Sequence, residues 1–207
     1  MINLLFFPNG GVSIMARTRE FDEAKVLEAA MQLFWEKGYE ATSLSDLTTR
    51  MGIQRPSIYS TFGDKKELFE AALRRYTTTR ASEIRTKLQS YASVKQAFSI
   101  FFEDVITAEY TKDLSNGCFC INTMVELAPH DEKFEILTRE HQLYLSVIFQ
   151  ETIERGIQSG ELEANTDSKS LAQALIVALI GLTVMLKSQP QRSFADNAIA
   201  TTLTLLK

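Results

Sequence analysis

Three observations predict an all-α fold for this chain. Apolar residues recur with a 3.6-residue period along nearly the whole sequence. The periodic segments open on helix N-caps (Asp22, Ser43, Asp64, Asp131 and Asp167) and several stop at glycines (Gly38, Gly52 and Gly160). Proline occurs only at positions 8, 56, 129 and 190, so long helices can run uninterrupted. About nine helices and no sheet are expected. With 207 residues, 45% of them hydrophobic, the chain can bury a substantial core in one or two compact domains.

The first helix is capped by Asp22, carries Val26, Leu27, Ala30, Met31, Leu33 and Phe34 on one face, and ends at Gly38, with Trp35 and Tyr39 at its rim. A very short helix follows. Ser43 and Asp46 form a capping-box-like pair, and Leu44, Leu47 and Met51 lay one apolar stripe inward. Gly52 closes it. The next short helix restarts almost at once, with Pro56 in the first turn, where a missing N–H costs nothing. Ile58 and Phe62 point inward there. Arg55, Ser57, Tyr59, Ser60 and Thr61 remain as an outward, donor-rich and short-side-chained surface that suits close approach to base edges and phosphates in a major groove.

Asp64 and Glu67 make a second capping box that opens a long helix to about Ser90. Beyond Ser93 a helix rich in aromatics (Phe98, Phe101, Phe102) runs to about Glu109. A polar loop, TKDLSNG, leads to a short helix in CFCINTMVELA that ends at Pro129. Asp131 then caps a long helix to about Ser159, Asp167 opens another to about Lys187, and a final helix follows Pro190-Gln191.

The stretch from Gly38 to Tyr76, with LFWEKGYEATS, the Gly52-Ile53 turn, PSIYSTF and the Asp64-Lys65-Lys66-Glu67-Leu68 helix opening in order, resembles the DNA-binding domain of the TetR family of transcriptional regulators. Each piece is weak alone; their joint order is specific. The resemblance implies base or groove contacts for Arg55, Pro56, Ser57, Ser60 and Thr61, and phosphate contacts for Thr42, Ser43, Tyr59 and Lys65. Gln54 stands where a Ser or Thr cap is common, which frees its amide for DNA. Ser60 and Thr61 are smaller than the residues often found there, so no operator sequence carries over from a relative. The implied partners are a palindromic double-stranded DNA operator, a small-molecule effector and a second copy of the chain. The implied organisation is a leader or disordered arm at 1–15, a reading domain at 16–63 continued by a connecting helix at 64–90, and an effector-binding and dimerisation domain at 91–207.

Charge agrees with this division. The whole chain is mildly acidic, with 22 basic against 26 acidic residues. From Ala16 to Lys87 the balance is 13 basic to 11 acidic, and from Leu88 onward it is 9 to 15. The N-terminal part can therefore face DNA while the rest repels it. Met1 to Met15 lacks the basic start of a signal peptide, and Ala16 looks like the natural beginning of such a regulator. Two cysteines, Cys118 and Cys120, are too few and too close for a disulfide scaffold, and the cytoplasm is the expected compartment.

Candidate effector contacts are Phe98, Phe102, Cys118, Asn122, Glu126, His141, Tyr144 and Met185, against the plainer reading of the aromatics, the methionine and His141 as core. Cys118, Asn122 and Glu126 are spaced by four and share one helix face. Cys118 after Gly117 also sits at a helix start, which favours a thiolate, so a redox or electrophile switch is an alternative to a buried small hydrophobe. No Cys/His cluster calls for a metal, no cofactor motif occurs, and the P-loop, nucleophile elbow, H-E-x-x-H and dinucleotide patterns are all missing. Leu171 to Leu186 is apolar on nearly every side but short of the roughly 20 residues a bilayer needs, so no membrane is expected. It is read with the last helix as a dimer interface through Leu175, Leu179, Leu182, Leu186, Ile199 and Leu203, as the resemblance implies. A helical protein-interaction module without DNA binding, or an activator with the opposite coupling sign, would share many of these residues.

Overall fold

Helices α1 (Glu23–Lys37), α2 (Leu44–Met51) and α3 (Arg55–Phe62) form the first unit. The computed structural model describes residues 21–111 and 116–207, and the expected leader at 1–15 lies outside them. The Asp22 carboxylate accepts the Ala24 and Lys25 amides, which starts α1. At α2 the capping box is reciprocal: the Asp46 amide donates to Ser43 Oγ (3.0 Å), and the Ser43 amide donates to Asp46 Oδ2 (2.9 Å). Gly52 ends α2 in the left-handed region at φ 68°, which lets α3 turn away without Cβ strain. Leu47 and Met51 seat α2 against α1, and the fully buried Ile58 seats α3 in the same core, beside α2 and α4.

Helix α4 (Lys65–Gln89) starts from the Asp64–Glu67 capping box and runs through both halves of the molecule. Its first part, Leu68, Phe69, Ala72, Leu73 and Tyr76, joins a core with α1–α3; Ala81, Ile84 and Leu88 join a second core. α5 (Val94–Tyr110), α6 (Phe119–Glu126), α7 (Glu132–Gln158), α8 (Ser168–Leu186) and α9 (Arg192–Leu203) complete nine α-helices with no strand among the described residues. The Glu161 carboxylate, in the turn after α7, accepts the Val94 amide (2.7 Å), the Lys95 amide (2.9 Å) and the Ser93 hydroxyl (2.6 Å), and so pins the start of α5.

Two boundaries differ from expectation. α6 stops at Glu126 and a 3₁₀ turn at Ala128–His130 follows, because Pro129 has no N–H to continue the ladder. The first core also extends past α4: Phe119, Cys120, Leu127, Phe134 and Leu137 from α6 and early α7 pack into the α1–α4 cluster.

Helix α8 is long and apolar enough to span a membrane by length and composition, yet eight of its residues are buried in this fold. Those eight include the expected interface residues. Leu175, Leu179, Leu182 and Leu186 of α8 and Ile199 of α9 are 0–8% exposed, packed into their own protomer's core, and Leu203 packs half-buried against it. The five buried ones have little area to offer a partner, and only Leu203 keeps part of its surface. The physical reason is that an all-round apolar helix carries no periodic signal for which stripe faces in. The outward stripe consists of Ala174, Val177, Gly181 and Val184, continued by Phe194 and Leu205 near the two ends of α9.

Candidate nucleic-acid interface and the cavity behind it

The outer surface of α2 and α3 is where sequence placed the DNA contacts. Gln54 has extended backbone (φ −80°, ψ 154°) and makes no side-chain cap, so its amide is uncommitted. Arg55 follows at the first turn, exposed. It has no carboxylate partner among the described residues, whereas neighbouring cations do: Arg50 pairs with Glu36 (2.5 Å), Lys37 with Asp46 (3.1 Å) and Lys66 with Asp131 (2.5 Å). Lys65 likewise lacks a carboxylate and rests over the Tyr39 ring, 4.3 Å from its centroid. The unit thus neutralises its flanking cations internally and leaves Arg55 and Lys65 for an external anion. Pro56, Tyr59 and Ser60 are exposed, Ser57 and Thr61 are half-buried, and Ser43 is exposed beside Asp46.

Thr42 is different. It is fully buried, and its hydroxyl donates to the Gly38 carbonyl at 2.6 Å, so it cannot reach a phosphate with its side chain. Its part is to tighten the turn between α1 and α2.

Behind this unit lies a partly open cavity of about 600 Å³ lined by α1, α4, α5, α6, α7 and α8, within the size range of drug-sized ligand sites. Two of the sequence candidates line it, Cys118 and His141. The others do not. Phe98 and Phe102 are fully buried in the second core, and Tyr144 and Met185 face outward, with Arg85 stacked 5.6 Å from the Tyr144 ring centroid. The Asn122 amide donates to the Asn116 carbonyl (2.8 Å), and its oxygen accepts from Lys187 (2.9 Å). Cys118 does not share their face because it is the N-cap of α6, with extended backbone (φ −106°, ψ 126°), so the spacing of four does not apply to it.

Glu126 has another task. Its carboxylate accepts the Tyr39 amide (3.3 Å) and the Glu40 amide (3.1 Å) in the turn between α1 and α2. Helix α6 therefore touches the cavity at one end, through Cys118 and Ile121, and holds the α1–α2 turn at the other.

Sequence reasoning missed the contributions of α1 and α4 to the cavity wall, among them Trp35, Tyr76 and Arg80. Tyr76 and Arg80 lie one turn apart, a signal that could have been used. The Tyr76 hydroxyl donates to Cys118 Sγ at 3.3 Å. Burial, then the neighbouring Cys118, pushes the Tyr76 pKa well above its usual value, so it remains a donor. Burial likewise raises the Cys120 thiol.

His141 is 7% exposed and has no hydrogen-bond partner in the described protein. Burial, helped by the charge of Arg80, holds its pKa down to about 4. An unfolded histidine binds its proton near 6.5. The unfolded state therefore gains the proton first as pH falls, and the histidine's contribution, complete above about pH 6.5, is lost progressively toward pH 4. The loss is of order 3 kcal/mol at its limit. His141→Gln is expected to flatten the stability difference between pH 7 and pH 5, read from urea midpoints; an unchanged slope would assign the acid limb elsewhere.

Two short helices joined by a glycine turn, a free arginine on the second, and an α-helical body around a cavity define a helix-turn-helix transcriptional regulator. Residues 26–72 match the family model for bacterial regulatory proteins of the tetR family, and residues 96–202 match that for the tetracyclin repressor-like C-terminal domain. The chain belongs to the TetR family of DNA-binding transcriptional regulators, a non-enzymatic family. It is 32% identical to the HTH-type transcriptional regulator YezE of Bacillus subtilis (strain 168), over 93% of this chain and 100% of that protein. To the HTH-type transcriptional repressor ComR of Escherichia coli (strain K12) it is 31% identical, over 91% of this chain and 90% of that one. A solved structure of a cysteine-substituted TetR family regulator, CifR, complexed with 26-bp double-strand operator DNA superposes with TM-score 0.82 at 28% identity, covering 93% of this chain and 100% of that one.

Proposed function

We propose that this regulator is a cytoplasmic homodimeric repressor that leaves a palindromic operator when a small molecule fills the cavity. The observation that carries this reading is the sharing of elements: α4 and α6 both line the cavity, and both hold the reading unit, α4 through its core and α6 through Glu126. Movement of either on ligand binding re-aims α3. A coupling free energy of about 1–3 kcal/mol, roughly 5–150-fold in DNA affinity, is the ordinary size of such an effect. In this reading residues 16–63 read DNA, 64–90 connect, and 91–207 bind effector and partner.

Pairing is supported by Gly181. A glycine inside a helix costs about 1 kcal/mol relative to alanine, yet a Cβ added there would meet nothing within 4 Å in its own protomer. A close approach by a second helix gives that glycine a purpose. It sits on the outward stripe between Val177 and Val184, which are 70% and 44% exposed. The interface is therefore assigned to this stripe, to Phe194 of α9 and to Leu205 just beyond it.

Titration of labelled DNA from upstream of the gene, with and without candidate small molecules, tests the reading; failure to bind any upstream duplex would overturn it. Within the reading unit, Arg55→Ala is expected to cost about 1–3 kcal/mol and to relax preference at one base position. Lys65→Ala should weaken all sequences alike and flatten the salt dependence by about one unit of slope. If both variants bind like the parent across a salt series, the contact assignment is wrong.

A second reading attaches to Cys118, favoured by the Tyr76 hydroxyl donated to its sulfur within the cavity. There the signal is an oxidant or electrophile acting on the thiol. Oxidant-dependent release of DNA that survives in Cys118→Ser would exclude it.

A further inference from the structure

We propose that the cavity is built for an uncharged, largely apolar molecule carrying one hydrogen-bonding group, which meets the His141 imidazole. The inference rests on the effector reading above and narrows it to a ligand class.

Six of the seven charged residues in the wall are paired with one another. Arg75 pairs with Glu28 (3.0 Å), Arg80 with Glu83 (3.2 Å) and Lys87 with Asp104 (2.7 Å), and every one of these six residues lines the cavity. The seventh charged residue of the wall, Glu109, is 5% exposed and engaged within the protein. These pairs are partly exposed and individually weak, so they offer no net charge to attract an ion, and a charged ligand reaching the buried His141 would lose its hydration without a free counter-charge, which is costly.

Most of the polar wall is likewise committed. Thr183 donates to the Leu179 carbonyl (2.8 Å), Gln32 to Glu28 (3.1 Å), and Tyr76 to Cys118 (3.3 Å), while the Gln142 amide is turned to the Met124 sulfur. His141 stands apart. It is more than nine-tenths buried, lines the cavity and has no hydrogen-bond partner among the described residues. A neutral imidazole offers one donor and one acceptor, so a carbonyl, hydroxyl or amide of a ligand satisfies it. Around it Trp35, Phe101, Leu145, Ile176 and Ile180 supply apolar wall. A volume of about 600 Å³ leaves room for a body of more than one ring.

Three matched probes of one shape separate the charge classes: 2-adamantanone, 1-adamantanecarboxylate and 1-adamantylammonium. Trp35 is the sole tryptophan and lies in the wall, so its emission reports occupancy in the full-length protein. The ketone is expected to bind at least about tenfold more tightly than either ion at pH 7.5, and His141→Leu to weaken the ketone about 3–10-fold, the size of one hydrogen bond. Tighter binding of the carboxylate, with proton uptake, would mean that His141 and Arg80 form an anion site and would overturn the proposal. So would tighter binding of the ammonium, or no Trp35 response to any of the three. The rank order in the wild-type protein decides the matter even if the His141 variant fails to fold. Operator affinity without ligand is measured separately, so a protein that binds no DNA refutes the repressor reading while the probe series still decides the ligand class.

Discussion

Val177→Glu is expected to leave each protomer folded and to abolish operator binding at working concentrations. Val177 is 70% exposed on the outer stripe of α8, so a carboxylate there is solvated in the monomer and costs little. In a dimer the same carboxylate meets its symmetry mate or an apolar partner helix and must be desolvated. One α3 carries only a handful of base contacts, and linking two copies raises affinity by about 10²–10⁴ without any new contact. Loss of pairing should therefore weaken binding at least about a hundredfold. Sedimentation would find a monomer with unchanged helicity. A dimeric Val177→Glu variant with parental DNA affinity would move the interface off this stripe.

The second large effect is on stability. Phe69 is 1% exposed and packs against four rings: Phe34 at 4.9 Å, Tyr39 at 5.0 Å, Phe119 at 5.1 Å and Phe134 at 5.3 Å between centroids. Those rings come from α1, the turn after it, α6 and α7, so one side chain joins the reading unit to the body. Phe69→Ala removes the packing and leaves a cavity, at a cost of about 3–5 kcal/mol. Against a total stability of about 5–15 kcal/mol this is a large fraction, and the melting temperature should fall by about 6–20 °C. DNA affinity should fall with it, because Glu126 and Phe119 reach the α1–α2 region from the same helix. A melting temperature within 2 °C of the parent, to take a rough threshold from the same scaling, would show that the cluster is not the joint.

Much of the chain was legible in one dimension. Caps act over two or three residues, so Asp22, Ser43–Asp46, Asp64–Glu67, Asp131 and Asp167 announce helix starts that need no tertiary knowledge. Arg55 and Tyr59 follow the same local logic, because an eight-residue helix with one buried isoleucine must turn its other faces outward. Thr42 escapes that logic, because its hydroxyl finds a carbonyl four residues back, a local bond that competes with any external contact.

The cavity was largely illegible. It is the space left between six helices, and its wall is decided by how each is rotated and offset against the others. Nothing local marks Trp35, Tyr76 and Arg80 as wall residues, while Asn122, Glu126 and Tyr144 serve other contacts and Met185 faces outward. The identity of the class, the helices among the described residues and the exposed Arg55, Tyr59 and Ser60 of α3 follow from sequence alone, because they rest on interactions within one or two helical turns. Which stripe of α8 remains exposed, that His141 is buried without a partner among the described residues, and which carboxylate reaches back to hold the α1–α2 turn were decided only by the tertiary structure. Those outcomes depend on competition among residues far apart in sequence, where periodicity carries no information about the winner.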